Sequence, residues 1–159
     1  MIGREPDGVL SNNVSSKLHV EPTLQGPAVY INHFLRETIE EGDLVTLHGY
    51  LKILPGDVLM TSGATFLNGH PGLITVYPEL KGKNPQERFF KFQSERNYDF
   101  IGSVVHYVVR DVDNGPVLAQ SYDLVPDTFK GKLKEPDVYR ILRRTSLEAW
   151  MKALKGVLY

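Results

Sequence analysis

The sequence predicts an α/β fold in one domain covering residues 1–159. Stretches with apolar residues at three- and four-residue spacing, the period of a helix with one buried face, alternate with short apolar runs of the kind that form strands covered by helices. With 159 residues, 42% of them hydrophobic and 23% charged, the chain has enough apolar material for one ordinary core and little room for a second.

Val9 and Leu10 read as the end of a short strand that enters a turn at Ser11-Asn12-Asn13, since Ser and Asn bond their own backbone. Residues 27–41 form an amphipathic helix with Ile31, Phe34, Leu35, Thr38 and Ile39 on its stripe, and Gly42 is placed to end it. Residues 44–47 follow as a strand buried on both faces. Residues 51–56 form a loop, 57–61 a short helix and 65–67 a second strand. Gly69, Pro71, Gly72 and Pro78 break every period between Asn68 and Lys83, which predicts loop throughout. Asn84-Pro85-Gln86-Glu87 has the composition of a capping box and starts a helix to about Arg96, with Phe89, Phe90 and Phe92 directed at the core. Residues 98–109, rich in β-branched and aromatic types, make a long strand. A turn at Asp113-Asn114-Gly115-Pro116 returns it as a hairpin strand over 117–124. A last helix from Pro136 to near Gly156 carries Val138, Ile141, Leu142, Thr145 and Ala149 on one stripe.

Charge and composition exclude several classes. Eighteen basic against 19 acidic residues leave a net charge of −1, so no global field draws the chain to nucleic acid or to an anionic membrane. The absence of cysteine removes disulfides, thiolate nucleophiles and cysteine-ligated zinc, and fits a cytoplasmic setting. No apolar run is long enough to span a bilayer, and no His and carboxylate spacing matches a metal motif, so no metal is expected.

The segment Phe66-Leu67-Asn68-Gly69-His70-Pro71-Gly72 sets an amide and an imidazole two residues apart at the end of a strand, where an open α/β sheet offers its ligand crevice. Strand alternation puts both on one side. Read alone, the pair serves equally well as an asparagine bonding loop backbone and a histidine packed beside a proline. Asp113 falls where Asp, Asn and Gly are expected for conformational reasons alone. His48 lines a pocket or faces a helix, while His19 and His33 read as surface or packing residues. Lys81, Lys83, Arg88 and Lys91 read as a solvated face, with an anion contact as the functional alternative.

The order of parts adds to this. Asn68-x-His70-Pro71-Gly72, a helix, Gly102-Ser103-Val104-Val105-His106 and then Asp113-Asn114-Gly115-Pro116 resemble the folate-dependent formyltransferases, most closely those that act on glycinamide ribonucleotide. The likeness runs from about Asp43 to the end, with a weaker echo at Val9 to Asn13. It implies a Rossmann-like fold with a mostly parallel sheet flanked by helices and a hairpin toward the C-terminus. It also implies 10-formyltetrahydrofolate as co-substrate and a small-molecule amine acceptor, on a nucleotide or a nucleotide-linked sugar. By that likeness Asn68 bonds the formyl oxygen, His70 supplies positive charge or a proton, and Asp113 holds His70 and relays the amine proton, with His106 and Gly115 in support. Lys52, Ile53 and Leu54 match the loop that binds the folate pterin, and Arg110, Asp111 and Val112 close over the same ring. Chemistry agrees: formyl transfer passes through an oxyanion that needs fixed donors, and a carboxylate beside an imidazole favours its charged form.

Three features depart from the family pattern. The first strand and glycine-rich phosphate loop have no counterpart before Arg4, so on this likeness the fold is N-terminally truncated, and a homo-oligomer or a partner chain is expected to complete the sheet. Leu73-Ile74-Thr75 lacks the second proline of the His-Pro loop, and the acidic residue expected on the last helix falls near Thr145. These point to formyl chemistry without the usual glycinamide acceptor. The same trio also serves water as nucleophile, which makes a hydrolase the alternative, with a non-catalytic folate-binding protein or a partial subunit as further readings.

Overall fold

In the computed structural model, residues 6–11 and 22–158 are described. The elements run β1 (Leu10–Ser11), β2 (Leu24–Gln25), α1 (Ala28–Thr38), β3 (Leu44–Leu47), α2 (Gly56–Thr61), β4 (Thr65–His70), a 3-10 turn (Pro78–Leu80), α3 (Pro85–Arg96), β5 (Phe100–Tyr107), β6 (Val117–Leu124), a second 3-10 turn (Asp127–Phe129) and α4 (Glu135–Leu158). The α/β class holds. Asn12, Asn13 and His19, named above, lie outside the described residues.

β1 and β2 form a parallel pair, and the main sheet has the order β3-β4-β5-β6. That sheet is mixed rather than mostly parallel: β3 runs parallel to β4, but β4 with β5 and β5 with β6 are antiparallel. Apolar content reports burial and says nothing of strand direction. β3 is also an edge strand, half-buried along its length rather than covered on both faces.

β4 continues three residues past its expected end, because Asn68, Gly69 and His70 pair with His106, Val105 and Val104 of β5. Gly69 belongs in the strand for a packing reason. A Cβ there would come within 2.4 Å of the Trp150 Nε1, so only glycine lets α4 lie this close to the sheet. On that face Leu67 and Val105 meet Ala149, Trp150 and Ala153. Farther along the same helix, the buried Ser103 hydroxyl donates to the Leu142 carbonyl at 3.0 Å and meets Thr145 Oγ1 at 3.0 Å. Two further apolar clusters complete the core, one around Leu80, Phe89, Ile101 and Leu142, the other around Ile31, Leu35, Leu54 and Phe66.

Three local expectations change. Helix α1 stops at Thr38, because Ile39 turns extended and packs with the second cluster. The capping box does not form: Asn84 takes a left-handed conformation (φ 53°) and its amide donates to the Glu87 carboxylate at 3.1 Å instead of accepting from backbone. Phe89 is buried and Phe92 partly so, but Phe90 points outward, since adjacent residues on a helix diverge by about 100°. Among the described residues no helix is long and apolar enough to cross a membrane.

Leu67 is fully buried at the centre of the contact between sheet and α4. Leu67→Ala is expected to cost about 3 kcal/mol and lower Tm by roughly 10 °C, read by thermal denaturation. A loss under about 1 kcal/mol would contradict this packing.

Candidate functional site

The other face of the sheet gathers the candidate site residues. Asn68 and His106 are directly paired across β4 and β5, and His70 lies two residues along from Asn68, so all three side chains share one face. The β5–β6 ladder shifts register between Val105 and His106, a bulge of the kind that re-aims a side chain beside a site. Residues 108–116 then fold back over this face instead of making a tight hairpin turn. Gly115 permits the return: a Cβ there would sit 1.7 Å from the Tyr107 carbonyl oxygen. Asp113, in the left-handed region at φ 55°, turns its carboxylate inward.

The Asp113 carboxylate lies between two imidazoles. Its Oδ2 is 3.4 Å from His70 Nδ1 and its Oδ1 is 3.4 Å from His106 Nε2, with all three side chains at 7% exposure or less. The Gly82 N–H donates to Oδ2 at 2.7 Å, and Lys81 Nζ donates to Asn114 Oδ1 at 2.5 Å, so the 71–83 loop is tied to the 108–116 loop at two points. His70 Nε2 lies 2.8 Å from the Leu80 carbonyl, which accepts only from an N–H and therefore sets the Nε2–H tautomer. His106 Nδ1 is likewise held as a donor by the Tyr107 carbonyl at 2.9 Å. Its Nε2 faces Asn68 Nδ2 at 3.3 Å as well as Asp113. A neutral ring accepts from Asn68 there, and a second proton would turn the same nitrogen into a donor to Asp113.

Burial pushes the His70 imidazole below its ordinary value and outweighs Asp113 and the Leu80 carbonyl, which act upward. Asp113 thus favours the charged form of His70, as expected of a carboxylate beside an imidazole, while burial acts against that form. Burial pushes Asp113 upward, but the bond to His106, the attraction to His70 and the Gly82 N–H together hold its carboxyl below the ordinary carboxylate value. The pair thus has a place for one proton, at His70 Nδ1 facing an ionised carboxylate.

The residues expected at the folate ring divide. Lys52 and Ile53 stand in solvent, Ile53 at 74% exposure, and Arg110, Asp111 and Val112 are exposed on the 108–116 loop. Leu54 differs, since its side chain is buried with Ile31, Leu35, Val58 and Phe66. His48 turns to α4, its ring 4.3 Å from that of Trp150 and its Nε2 3.0 Å from Thr46 Oγ1, and burial lowers its pKa. His33 is exposed. Thr145 is a core residue, and one turn on, Glu148 is bonded to Ser121 and Arg144, each at 2.5 Å. Among the described residues no His, Cys, Asp or Glu group is arranged to hold a metal ion. Sequence reasoning missed the Leu80 carbonyl, the Gly82 N–H and Trp150. Only Gly82, a glycine between two lysines in a loop, left a signal, and it is at φ 87°.

The formyl transferase family profile matches residues 18–135, most of the chain. The chain belongs to the formyl transferase family. Within the family it is 30% identical over 95 residues to formyltetrahydrofolate deformylase 2, mitochondrial, of Arabidopsis thaliana, which covers 60% of this chain and 27% of that protein. It is 28% identical over 82 residues to the phosphoribosylglycinamide formyltransferase of Bacillus subtilis (strain 168), covering 52% of this chain and 38% of the relative. The crystal structure of phosphoribosylglycinamide formyltransferase from Anaplasma phagocytophilum aligns with a TM-score of 0.62 and 25% identity over 84% of this chain and 60% of that one. This formyl transferase family chain therefore spans about a quarter of the plant deformylase and under two thirds of the aligned crystal chain.

Removing the Asp113 charge takes away an upward influence on His70, so Asp113→Asn is expected to lower the His70 midpoint further in a histidine NMR titration. An unchanged or raised midpoint would count against the pairing. Both groups hold a proton less readily folded than unfolded, so stability is lost as pH falls, first below 6.5 as the unfolded histidine charges and then as Asp113 takes up its proton. Denaturation midpoints across that range check the sign.

Proposed function

We propose that this chain transfers a formyl group from 10-formyltetrahydrofolate to a primary amine of a nucleotide or sugar-nucleotide acceptor. The observation that carries the reading is the ionised Asp113 buried between His70 and His106, beside the half-buried amide of Asn68. In this reading the Asn68 amide donates to the formyl oxygen as it becomes an oxyanion, where a fixed donor is worth most. The attacking amine gives its proton to His70 Nδ1, through water, and the ion pair formed with Asp113 stabilises the result. Return of that proton, through water, to the folate nitrogen as its bond to the formyl carbon breaks and the oxyanion collapses to a carbonyl then completes the transfer and restores neutral His70. His70 acts here as a proton acceptor, because its neutral form is the resting one. Lys52 and Ile53 on one loop, with Arg110, Asp111 and Val112 on the other, offer an exposed mixed surface for the pterin, with Leu54 contributing backbone only.

Water as nucleophile is the second reading, favoured by the relatives named formyltetrahydrofolate deformylase. The same Asn68, His70 and Asp113 serve either nucleophile, and the choice falls to whatever excludes or admits water. Supplying 10-formyltetrahydrofolate with and without glycinamide ribonucleotide, and following tetrahydrofolate and formate, separates the two.

Asn68→Ala is expected to lower kcat by about 100-fold with the fold intact by circular dichroism. The wild-type rate is expected to fall on the acid side with a midpoint below 6.5, the side on which His70 gains its proton. Ordinary turnover in the variant, or an acid limb centred above 6.5, would overturn these roles.

A further inference from the structure

We propose that Arg88 is a positioning residue for this site, acting through the backbone of the 79–82 segment. The Arg88 Nη1 donates to the Lys81 carbonyl at 2.7 Å and to the Glu79 carbonyl at 3.3 Å. These two carbonyls flank Leu80, whose own carbonyl takes the His70 Nε2–H, and Lys81 precedes Gly82, whose N–H holds Asp113. One guanidinium thus grips the segment that supplies both backbone contacts to the proton-accepting pair.

Gly82 itself sits at φ 87°, a conformation that other residues resist, and a Cβ on it would be in ordinary van der Waals contact with Arg88 Nη2 at 3.6 Å. Arg88 itself is anchored in α3, whose Phe89 is buried at 2% exposure. The sequence places Arg88 in a basic cluster with Lys81, Lys83 and Lys91 that reads as a solvated face. The structure separates its members: Lys91 lies over the Phe92 ring, while Arg88 and Lys81 tie down the loop.

The consequence is a fixed tautomer. With the Leu80 carbonyl held in place, His70 keeps its proton on Nε2 and presents Nδ1 to Asp113. With that carbonyl free, the ionised carboxylate facing Nδ1 draws the proton toward that nitrogen and the Nε2–H form is no longer held. The charged and titratable groups acting on His70 are Asp113, His106 and Arg88 itself, whose positive charge also opposes protonation of the ring. Both bonds leave one nitrogen, Nη1, whose two N–H groups are fixed in the guanidinium plane; a lysine in its place keeps the charge but not that fixed pair of donors.

The kinetic arm of the test rests on the proposed formyl chemistry; the spectroscopic arm does not. Wild type, Arg88→Lys, Arg88→Met and Lys91→Met are compared by NMR of ring-labelled histidine. The same four proteins are assayed for tetrahydrofolate release from 10-formyltetrahydrofolate, with and without glycinamide ribonucleotide. His70 is expected as a single Nε2–H tautomer in wild type and Lys91→Met, and as a tautomer mixture with a raised midpoint in Arg88→Met. In Arg88→Lys the mixture should appear although the charge remains. Turnover in both Arg88 variants should fall about 10- to 100-fold in kcat, with KM for the folate within about twofold. A single Nε2–H tautomer retained in Arg88→Lys overturns the proposal, whether or not Arg88→Met folds. A wild type that shows the tautomer pattern but no turnover would remove the formyl reading and leave the clamp standing.

Discussion

The structure depends on one buried carboxylate. Moving the Asp113 charge out of water costs several kcal/mol unless partners replace its hydration, and here they are two imidazoles and a backbone N–H. His70 and Gly82 are distant from Asp113 in sequence, and His106 stands on the strand before its loop. Meeting the requirement brings the strand ends carrying His70 and His106 together with the Gly82 loop, and the 108–116 loop must close over them. The site is therefore a closed set of polar contacts that share the Asp113 carboxylate.

What keeps that set rigid lies on the opposite side of the sheet. Trp150 seated on Gly69, and Ser103 bonded to Leu142 and Thr145, press α4 against β4 and β5. The sheet between them is packed on both sides, and the polar groups of the site sit on the face opposite α4 among apolar neighbours such as Phe66 and Val104. The bulge beside His106 and the left-handed turn at Asp113 are local irregularities that such a sheet can bear.

Membership of the formyl transferase family and this geometry bear on the same chemistry from different directions. The relatives include proteins named for transfer to glycinamide ribonucleotide and proteins named for deformylation. In the proposed reading an amide donor and an imidazole backed by a carboxylate handle the carbonyl and the departing proton, and neither task depends on which nucleophile arrives. On that reading, discrimination between an amine and water falls to the surfaces around the site.

The alternation of helical and strand patterns, the helix over 85–96, the long strand before the Asp113 turn and the last helix were all legible in the chain, because periodic burial is a local property. So was the short list of Asn68, His70, His106 and Asp113, because the order of motifs marks the family. Strand direction, the extension of β4 through Gly69, the outward Phe90 and the inward Leu54 came only with the tertiary structure. So did the burial that lowers the His70 pKa, and the contacts made by the Leu80 carbonyl, the Gly82 N–H and Arg88. A backbone carbonyl or N–H looks the same at every position of a sequence, and a charge balance depends on burial, which belongs to the folded whole. The amino-acid order determined which groups are present to do chemistry, while the packing decided which of them meet and how deeply they are buried.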